Sequence, residues 1–167
     1  MSFYIRKAIE GEEKIALKIS DAGRAIMQKR NNPQWDTGYP FEDMLIEDIE
    51  KGRLYFVFEE DPYSVVGMAV FQKEKDKDYE NEIFWKYDCL YLSIHRLVSL
   101  KKGAGRFLIE EGMKIAENLK RSVRIDTHPQ NIAMQSLIKS LGFEERGSFA
   151  QPSYIDGADA IAFEIKR

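Results

Sequence analysis

The feature that most constrains the fold is a long apolar segment, Leu90–Ser99, that runs directly into a glycine-containing turn at residues 101–105. A mostly apolar run of this length that ends in a turn is typical of a buried strand. Apolar residues then recur at helical spacing over residues 105–120. The sequence therefore predicts a strand, a tight turn and a helix in direct succession. The helix positions predicted to face inward are Leu108, Gly112, Ile115 and Leu119.

Periodicity places the other elements around this central unit. Helices are predicted over residues 11–29, from Phe41 to a stop at Gly52, and over residues 132–140. Strands are predicted near residues 3–6, 54–58, 65–71, 123–126, 143–149 and 158–165, and the charged segment 73–88 is predicted to be a solvated loop. Strand–helix–strand units in the middle imply a locally parallel pair, whereas hairpins at both ends imply antiparallel strands. The predicted fold class is mixed α/β, with helices on both faces of one mixed sheet.

Length, charge and hydropathy exclude several classes of function. The 167 residues suit a single domain, 1–167, and the net charge of −3 argues against nucleic acid as a partner, because phosphate binding needs a basic surface. No apolar run approaches the roughly 18 residues that span a bilayer, so no membrane association is expected. The N-terminus lacks the pattern of a secretory signal, and the expected compartment is the cytoplasm. One cysteine, Cys89, and two histidines argue against a metal site.

The turn itself suits an anion. Backbone N–H groups at a helix N-terminus have no partner within the helix, and glycine lets the backbone approach a ligand closely. Lys101, Lys102 and Arg106 add positive charge beside it. A plain tight turn is an equally open interpretation. A nucleotide-binding domain is the weaker alternative, because a Walker loop needs wider glycine spacing and a dinucleotide fingerprint needs a third glycine where Leu108 stands.

Three stretches of the sequence are informative in addition to the order of the elements and the glycine turn. They are Trp35-Asp36-x-Gly38-Tyr39-Pro40, Ile94-His95-Arg96-Leu97-Val98, and Asp126-Thr127-His128-Pro129-Gln130-Asn131 with Met134, and the ending Leu141-Gly142-Phe143 follows them. With these features the chain resembles the GNAT family of acetyl-CoA-dependent N-acetyltransferases, and a small bacterial subgroup within it. The resemblance covers nearly the whole chain. It implies a GNAT-type domain whose largely antiparallel sheet has its parallel pair at the cofactor site.

The resemblance implies that acetyl-CoA is the cosubstrate, with its diphosphate on the glycine turn and its pantetheine arm along the preceding strand. The cofactor-binding residues that it implies are Leu97, Val98, Lys101, Lys102, Gly103, Ala104, Gly105, Arg106 and Asn131. Two positions depart from the family pattern. Leu100 stands where the pattern before the glycines has Arg or Gln, and Ile138 stands where many members have a tyrosine that protonates the leaving thiolate.

The implied reaction is transfer of the acetyl group to a primary amine by direct attack in a ternary complex. His95 or an ordered water is expected to remove the amine proton. A histidine near the acetyl group can remove a proton from an ammonium substrate, and a hydrogen-bonded core histidine is the open alternative for this position. Cys89 is expected to be a small apolar residue and not a nucleophile. The alternative function is a non-catalytic module with the GNAT fold that binds coenzyme A or a protein partner.

Aromatic and acidic residues in the loop between the first two helices suit a cationic amine. The residues expected to contact the acceptor are Trp35, Asp36, Tyr39 and Glu42, with Asp126 and His128 at the end of the neighbouring strand. Packing at the core edge is the open alternative for the aromatic pair, and a strand-end cap or a pair with Arg124 is the alternative for Asp126 and His128. The acceptor stays open among peptide N-termini, lysine, polyamines, aminoglycosides and small metabolites. A homodimer is neither required nor excluded.

Overall fold

One mixed sheet with helices on both faces organises the residues that the computed structural model describes, 2–60 and 64–167. In chain order the elements are β1 (Phe3–Lys7), α1 (Glu13–Lys29), α2 (Glu42–Glu50), β2 (Leu54–Glu59), β3 (Val65–Gln72), α3 (Lys77–Glu80), β4 (Tyr91–Ser99), α4 (Ala104–Asn118), β5 (Ser122–Thr127), α5 (Ile132–Ser140), β6 (Glu144–Ala150) and β7 (Asp159–Ile165). The strand order is β1-β2-β3-β4-β5-β7-β6. Neighbouring strands are antiparallel except β4 and β5, which are parallel. The predicted fold class is therefore confirmed.

Two hydrophobic cores hold the helices against the sheet. Residues of α4 and α5 pack in the core on one face, and residues of α1 and α2 pack in the core on the other. Glycines allow the helices to approach closely. A Cβ atom at Gly112 of α4 would lie 3.0 Å from side-chain atoms of Ile94 and Phe71, and one at Gly23 of α1 would lie 2.9 Å from Val98. The central strand β4 is therefore in direct contact with a helix on each face.

The helix after the glycine turn forms as predicted, with one correction. Leu108 and Gly112 are buried and Ile115 is partly buried, so these positions do face inward. Leu119 is instead 44% exposed. The helix ends at Asn118, and Leu119 lies at its C-terminal cap, where the helical spacing no longer determines which way a side chain points.

The alternation of side chains along β4 changes at Arg96. Leu92 and Ile94 belong to the core under α4, and strict alternation would place residue 98 there too. Val98 belongs to the core under α1 and α2 instead. The φ angle of Arg96 is 51°, and the pairing with β3 shifts at this point. One extra residue of this kind is a β-bulge, and a non-glycine residue in the left-handed region costs about 1–2 kcal/mol.

Buried Asp48 on α2 compensates for this strained conformation. Its Oδ2 accepts a hydrogen bond from Nε of Arg96 at 2.7 Å, and its Oδ1 accepts one from Nη2 of Arg96 at 3.2 Å. Oδ1 also accepts a hydrogen bond from Nε of Arg53 at 2.7 Å. Because the carboxylate has no exposed surface and two guanidinium groups surround it, the side chain of Arg96 is fixed beside the bulge.

The predicted solvated loop over residues 73–88 is mostly exposed and irregular, but it is not solvated throughout. The segment contains the short helix α3, and Tyr79 of this helix is only 1% exposed. The indole N–H of Trp85 donates to the carbonyl oxygen of Tyr79 at 2.9 Å, and the backbone N–H of Lys86 donates to buried Glu164 at 2.9 Å. The segment therefore packs against the sheet as a wall with its own apolar cluster.

We expect Asp48→Ala to destabilise the fold, because it leaves the guanidinium groups of Arg53 and Arg96 buried without their carboxylate. Removal of one partner from a buried ion pair costs about 3–5 kcal/mol, which urea unfolding would measure. Glu47→Ala is the matched control, since Glu47 precedes Asp48 on the same helix and forms an exposed pair with Lys51. Its midpoint should barely move. Equal losses in the two variants would contradict this account of Asp48.

Candidate functional site

Two cavities meet beside the bulge in β4. The glycine-turn cavity has a volume of about 790 Å³ and is lined by the end of β4, the glycine turn and the first half of α5. The His95 cavity has a volume of about 680 Å³ and is lined by the middle of β4, the end of β5, the loop before α2 and the loop between β6 and β7. The residues that line both cavities are Met27, Leu97, Asn131 and Met134.

One edge of β4 has no strand partner at this junction. Parallel pairing with β5 covers only Tyr91–Ser93 opposite Ser122–Arg124. Beyond Ser93 the strand continues to Ser99 and stays paired with β3 on its other side. Backbone groups of β4 that face β5 beyond Ser93 are therefore available to an extended ligand, which can add to a sheet edge as another strand would.

The glycine turn presents several backbone donors. Gly103 has a φ angle of 93° and caps the N-terminus of α4. Within the described residues, the N–H groups of Lys102, Gly103 and Arg106 have no hydrogen-bond partner. The N–H of Gly105 is already occupied, because it donates to Oγ of Ser99 at 3.0 Å. Three unpartnered donors at a helix N-terminus suit an anion.

The positive side chains around the turn differ in availability. The Lys101 ammonium forms an ion pair with Glu59. Arg106 donates to Oγ of Ser140 at 2.7 Å, and the exposed Lys102 has no ion pair among the described residues. Of the residues that the sequence assigned to the cofactor, Ala104 alone lies outside the glycine-turn cavity, because its side chain is buried in the core under α4.

Gln34 connects the loop between α1 and α2 to the end of β5 through hydrogen bonds. Its Oε1 accepts hydrogen bonds from Nδ2 of Asn131 at 2.8 Å and from Oγ1 of Thr127 at 3.2 Å. Asn131 meanwhile caps α5, since its Oδ1 accepts from the N–H of Met134 at 3.2 Å. Gln34 could not be predicted from the sequence, because a single glutamine in a loop carries no pattern. Asn131 is held at the junction of the two cavities by both contacts.

His95 faces the second cavity beside acidic residues. Its Nε2 lies 2.7 Å from Oδ2 of Asp76, which is an ion-pair distance without the alignment of a hydrogen bond. The ring also packs on Tyr79, with 5.7 Å between ring centroids. The Tyr79 hydroxyl donates to Oδ1 of Asp126 at 2.5 Å. Asp76 itself is fixed, because its N–H donates to the Tyr91 hydroxyl at 2.7 Å.

Asp76 and Tyr79 were missed because they lie in the segment that the sequence analysis assigned to a solvated loop. The available signal was an N-cap. Asp76 precedes a short helix, and its side chain accepts a hydrogen bond from the N–H of Asp78 at 2.9 Å. The burial of Tyr79 depends on contacts with distant strands and left no trace in the local pattern.

The two carboxyl groups near His95 have opposite pKa shifts. Burial would raise the pKa of the Asp76 carboxyl, but His95 and backbone N–H groups outweigh burial and lower it overall. At Asp126 burial is the larger effect and raises the pKa above its ordinary value, although His95 and the Tyr79 hydroxyl act in the other direction. Asp76 is therefore a carboxylate beside the imidazole at neutral pH.

The residues of the loop between α1 and α2 that were predicted to contact the acceptor amine divide into two groups. Trp35 and Tyr39 line the His95 cavity, and the Tyr39 hydroxyl accepts a hydrogen bond from Nη1 of Arg96 at 2.7 Å. Asp36 and Glu42 are exposed and line neither cavity, so their predicted contact with an acceptor is corrected. Asp36 follows Trp35 in a turn, and Glu42 begins α2, which directs both carboxylates to solvent.

His128 is also corrected, because it is fully buried and lines neither cavity. Its Nδ1 accepts a hydrogen bond from the N–H of Gln130 at 2.9 Å, and its Nε2 lies 3.0 Å from Asp156. These contacts tie the loop between β6 and β7 to the end of β5. The alternative pairing with Arg124 does not form either, since Arg124 binds Glu164.

Tyr154 lines the His95 cavity and was not predicted. It is 6% exposed, and its ring centroid lies 4.7 Å from that of His128. Its hydroxyl has no hydrogen-bond partner among the described residues. The same part of the chain contains no cluster of three or more histidine, cysteine or acidic side chains placed to bind a metal ion. None of its helices is long and apolar enough to cross a membrane.

Comparison with solved structures identifies the fold. A GNAT-family acetyltransferase from Streptococcus agalactiae 2603 is 25% identical, with a TM-score of 0.80 over 99% of this chain and 95% of that chain. One from Listeria monocytogenes 4b F2365 is 16% identical, with a TM-score of 0.73 over 98% and 95%. The ribosomal-protein-S18-alanine N-acetyltransferase from Escherichia coli is 15% identical, with a TM-score of 0.66 over 99% and 94%. No protein-family model and no protein of curated function matches the sequence.

The chain therefore has the GNAT N-acetyltransferase fold, as the resemblance in its sequence implied. The likeness runs through nearly the full length of both chains in each comparison. The class of protein that it indicates is an acetyltransferase.

Asp126 provides a pH-dependent test of the site. Because burial raises its pKa, the folded protein binds the carboxyl proton more tightly than the unfolded chain does. The carboxyl therefore favours folding below its ordinary pKa and opposes folding as pH rises through the raised pKa. Asp126→Asn keeps an oxygen acceptor for the Tyr79 hydroxyl but cannot ionise. The wild type should lose stability relative to this variant across that pH window, by up to about 1.4 kcal/mol per pH unit.

Urea unfolding at a series of pH values measures this difference. Asp36→Asn is the control, because it removes an exposed carboxylate outside both cavities. A difference between wild type and Asp126→Asn that stays constant with pH would show that burial does not raise the pKa of Asp126.

Proposed function

We propose that the protein, with residues 1–167 as one domain, is an acetyl-CoA-dependent N-acetyltransferase that moves an acetyl group to a primary amine. The observation that carries this proposal is the unpaired edge of β4 where the two cavities meet. One cavity suits a long anionic ligand and the other suits an amine, so the edge between them suits the atoms that react. The likeness to the Streptococcus agalactiae acetyltransferase supports this assignment.

The glycine-turn cavity fits coenzyme A in its chemistry. The unpartnered N–H groups of Lys102, Gly103 and Arg106 suit a diphosphate, and the Lys102 ammonium adds a charge. The apolar residues that suit the hydrocarbon part of the pantetheine arm are Ile26, Met27, Leu97, Ile132 and Leu137. Amides of the arm suit the open backbone of β4. When bound there, acetyl-CoA supplies an activated acetyl group as a thioester.

The bulge in β4 suits the carbonyl oxygen of that acetyl group. Leu97 follows Arg96 in the bulge and borders both cavities. A backbone N–H of the bulge would stabilise negative charge as it develops on the oxygen. A preorganised donor of this kind lowers a reaction barrier by about 3 kcal/mol.

His95 is the base in this proposal. His95 lines the His95 cavity, where the amine is proposed to bind. The neighbouring Asp76 carboxylate stabilises the imidazole after the imidazole has taken a proton from the amine. Asp126 adds a second carboxyl group near the histidine, and Trp35 and Tyr39 supply an aromatic wall. These features favour an acceptor that arrives as an ammonium cation, either a small molecule or a peptide.

Transfer is direct and needs no acyl-enzyme. Cys89 precedes β4 and lines neither cavity. A nucleophilic cysteine needs a nearby base, cation or helix N-terminus to lower its pKa, and its sulfur must reach the acyl donor. The amine and the acetyl donor therefore occupy the two cavities together, as a ternary complex requires.

A panel of primary amines with acetyl-CoA, followed by detection of the released thiol, tests the proposal. Thiol release that depends on the amine, together with a mass increase of one acetyl group on the amine, is the expected result. Coenzyme A binding in calorimetry without amine-dependent release would favour the non-catalytic module. The absence of coenzyme A binding would overturn the cofactor assignment.

Gly103→Asp should lower coenzyme A affinity at least tenfold, equal to about 1.4 kcal/mol, because it puts a carboxylate where the diphosphate is proposed to bind. Isothermal calorimetry measures the change. Gly11→Asp is the matched control, since Gly11 has nearly the same φ angle, 92° against 93°, and lies outside both cavities. If both variants fold and bind coenzyme A equally well, the diphosphate does not lie on this turn.

His95→Ala should lower kcat by roughly 10²-fold, the usual contribution of a general base, and should leave coenzyme A affinity nearly unchanged. Steady-state kinetics and calorimetry separate the two effects. Cys89→Ser is the control for a covalent route and should keep most of the activity. Acetyl trapped on Cys89, with ping-pong kinetics, would refute direct transfer, and full activity of the His95 variant would remove His95 from the mechanism.

A further inference from the structure

Tyr39 and Arg96 form a hydrogen-bonded pair on the wall of the His95 cavity. Nη1 of Arg96 donates to the Tyr39 hydroxyl oxygen at 2.7 Å, while Nε and Nη2 of the same guanidinium bind Asp48. A guanidinium has donors only and cannot accept the phenolic proton. The Tyr39 proton must therefore point away from Arg96. Both residues line the cavity that contains His95 and Leu97.

The proposed reaction needs a proton donor for its leaving sulfur atom. The amine nitrogen forms a bond to the acetyl carbon, and the carbon–sulfur bond breaks with its electron pair left on sulfur. A thiolate can leave without full protonation, but a positioned acid speeds its departure. Ile138 has no proton to give and is fully buried in the core under α4 and α5.

We propose that Tyr39, held by Arg96, donates the proton to the leaving sulfur atom. This inference rests on the proposed function. The O–H bond of Tyr39 breaks as the S–H bond forms, and the phenolate that remains is stabilised by the neighbouring guanidinium. The ammonium nitrogen becomes an amide and so loses two protons, one to His95 before the attack and one to solvent as the carbon–sulfur bond breaks. After the products leave, His95 returns its proton to solvent and the phenolate takes one from solvent, so each cycle releases one proton in all and the charges balance.

The charges around Tyr39 agree with this role. Burial raises the pKa of the Tyr39 phenol, and Arg96 acts in the opposite direction through its charge and its hydrogen bond. Burial keeps the phenol protonated at neutral pH, and the guanidinium stabilises the anion that proton transfer produces. The other charged groups that influence it are Asp48 on α2 and Asp126 on β5. Asp48 is already neutralised by Arg53 and Arg96.

Tyr154 is the competing tyrosine on the same cavity. It lies deep in the loop between β6 and β7, against His128. Burial raises its pKa, and Asp126, Tyr39 and Asp156 raise it further, with no cation opposing them. A phenolate at Tyr154 would therefore lack the stabilisation that Arg96 gives to Tyr39, which makes Tyr154 the weaker acid.

A binding experiment tests the proposal without turnover. Calorimetry compares coenzyme A with desulfo-coenzyme A, in which hydrogen replaces the thiol, from pH 7 to pH 9.5. In the wild type the preference for coenzyme A should grow about threefold or more as the thiol ionises, because a phenol donates more strongly to a thiolate. Tyr39→Phe should abolish this growth and leave affinity for desulfo-coenzyme A unchanged. Tyr55→Phe, on β2 and outside both cavities, should behave like the wild type.

Kinetics with the amine found in the panel gives the second reading. Tyr39→Phe should lower kcat by roughly 10²-fold with little change in the KM for acetyl-CoA. If the phenylalanine variant fails to fold, 3-fluorotyrosine at position 39 keeps the hydroxyl and its size but lowers the phenol pKa, so the alkaline limb of the rate profile should move to lower pH. An unchanged thiol preference in Tyr39→Phe, or the same loss in Tyr154→Phe alone, would overturn the assignment. Because binding is read without an acceptor, these outcomes differ from an absence of acetyl transfer.

Discussion

Asp48 lies buried on α2 and binds the guanidinium groups of Arg53 and Arg96. The backbone of Arg96 is left-handed, a conformation that a β-strand does not adopt without compensation. A buried carboxylate costs free energy unless it is paired. The Asp48 carboxylate and the Arg96 guanidinium therefore each offset the cost of burying the other. The rest of the site depends on this pair, because the bulge places Leu97 at the junction and redirects Val98 into the core under α1 and α2.

Glu164 on β7 is a second buried carboxylate that binds two arginine side chains. It is fully buried and accepts hydrogen bonds from Nε of Arg124 and Nε of Arg146, each at 3.1 Å, and from the backbone N–H of Lys86. The Lys86 contact holds the segment that follows α3 against the sheet. Asp76, at the start of α3, is thereby kept beside His95. The position of the Asp76 charge in the His95 cavity therefore depends on the Glu164 carboxylate, which lies outside that cavity.

Local pattern was sufficient for most of the fold and for the glycine turn. The β4–turn–α4 unit could be predicted because apolar spacing and a glycine at the helix start are properties of neighbouring residues. The side chains whose positions were predicted wrongly depend instead on partners that are distant in the sequence. The segment 73–88 is anchored by Glu164, 78 residues beyond Lys86, and the fully buried His128 contacts Asp156, 28 residues away. Tyr39 was placed on the cavity wall, but its partner Arg96 is 57 residues away and could not be inferred from spacing.

The bulge also explains how two neighbouring residues serve one cavity. In a regular strand the side chains of residues 95 and 96 would point to opposite faces of the sheet. Here His95 and Arg96 both line the same cavity, His95 toward Asp76 and Arg96 toward Tyr39 and Asp48. A proton acceptor and the cation that supports a proton donor therefore lie next to each other in the chain but contact different partners. The left-handed conformation of Arg96 is what makes this arrangement compatible with a strand that also keeps one edge open for the acetyl donor.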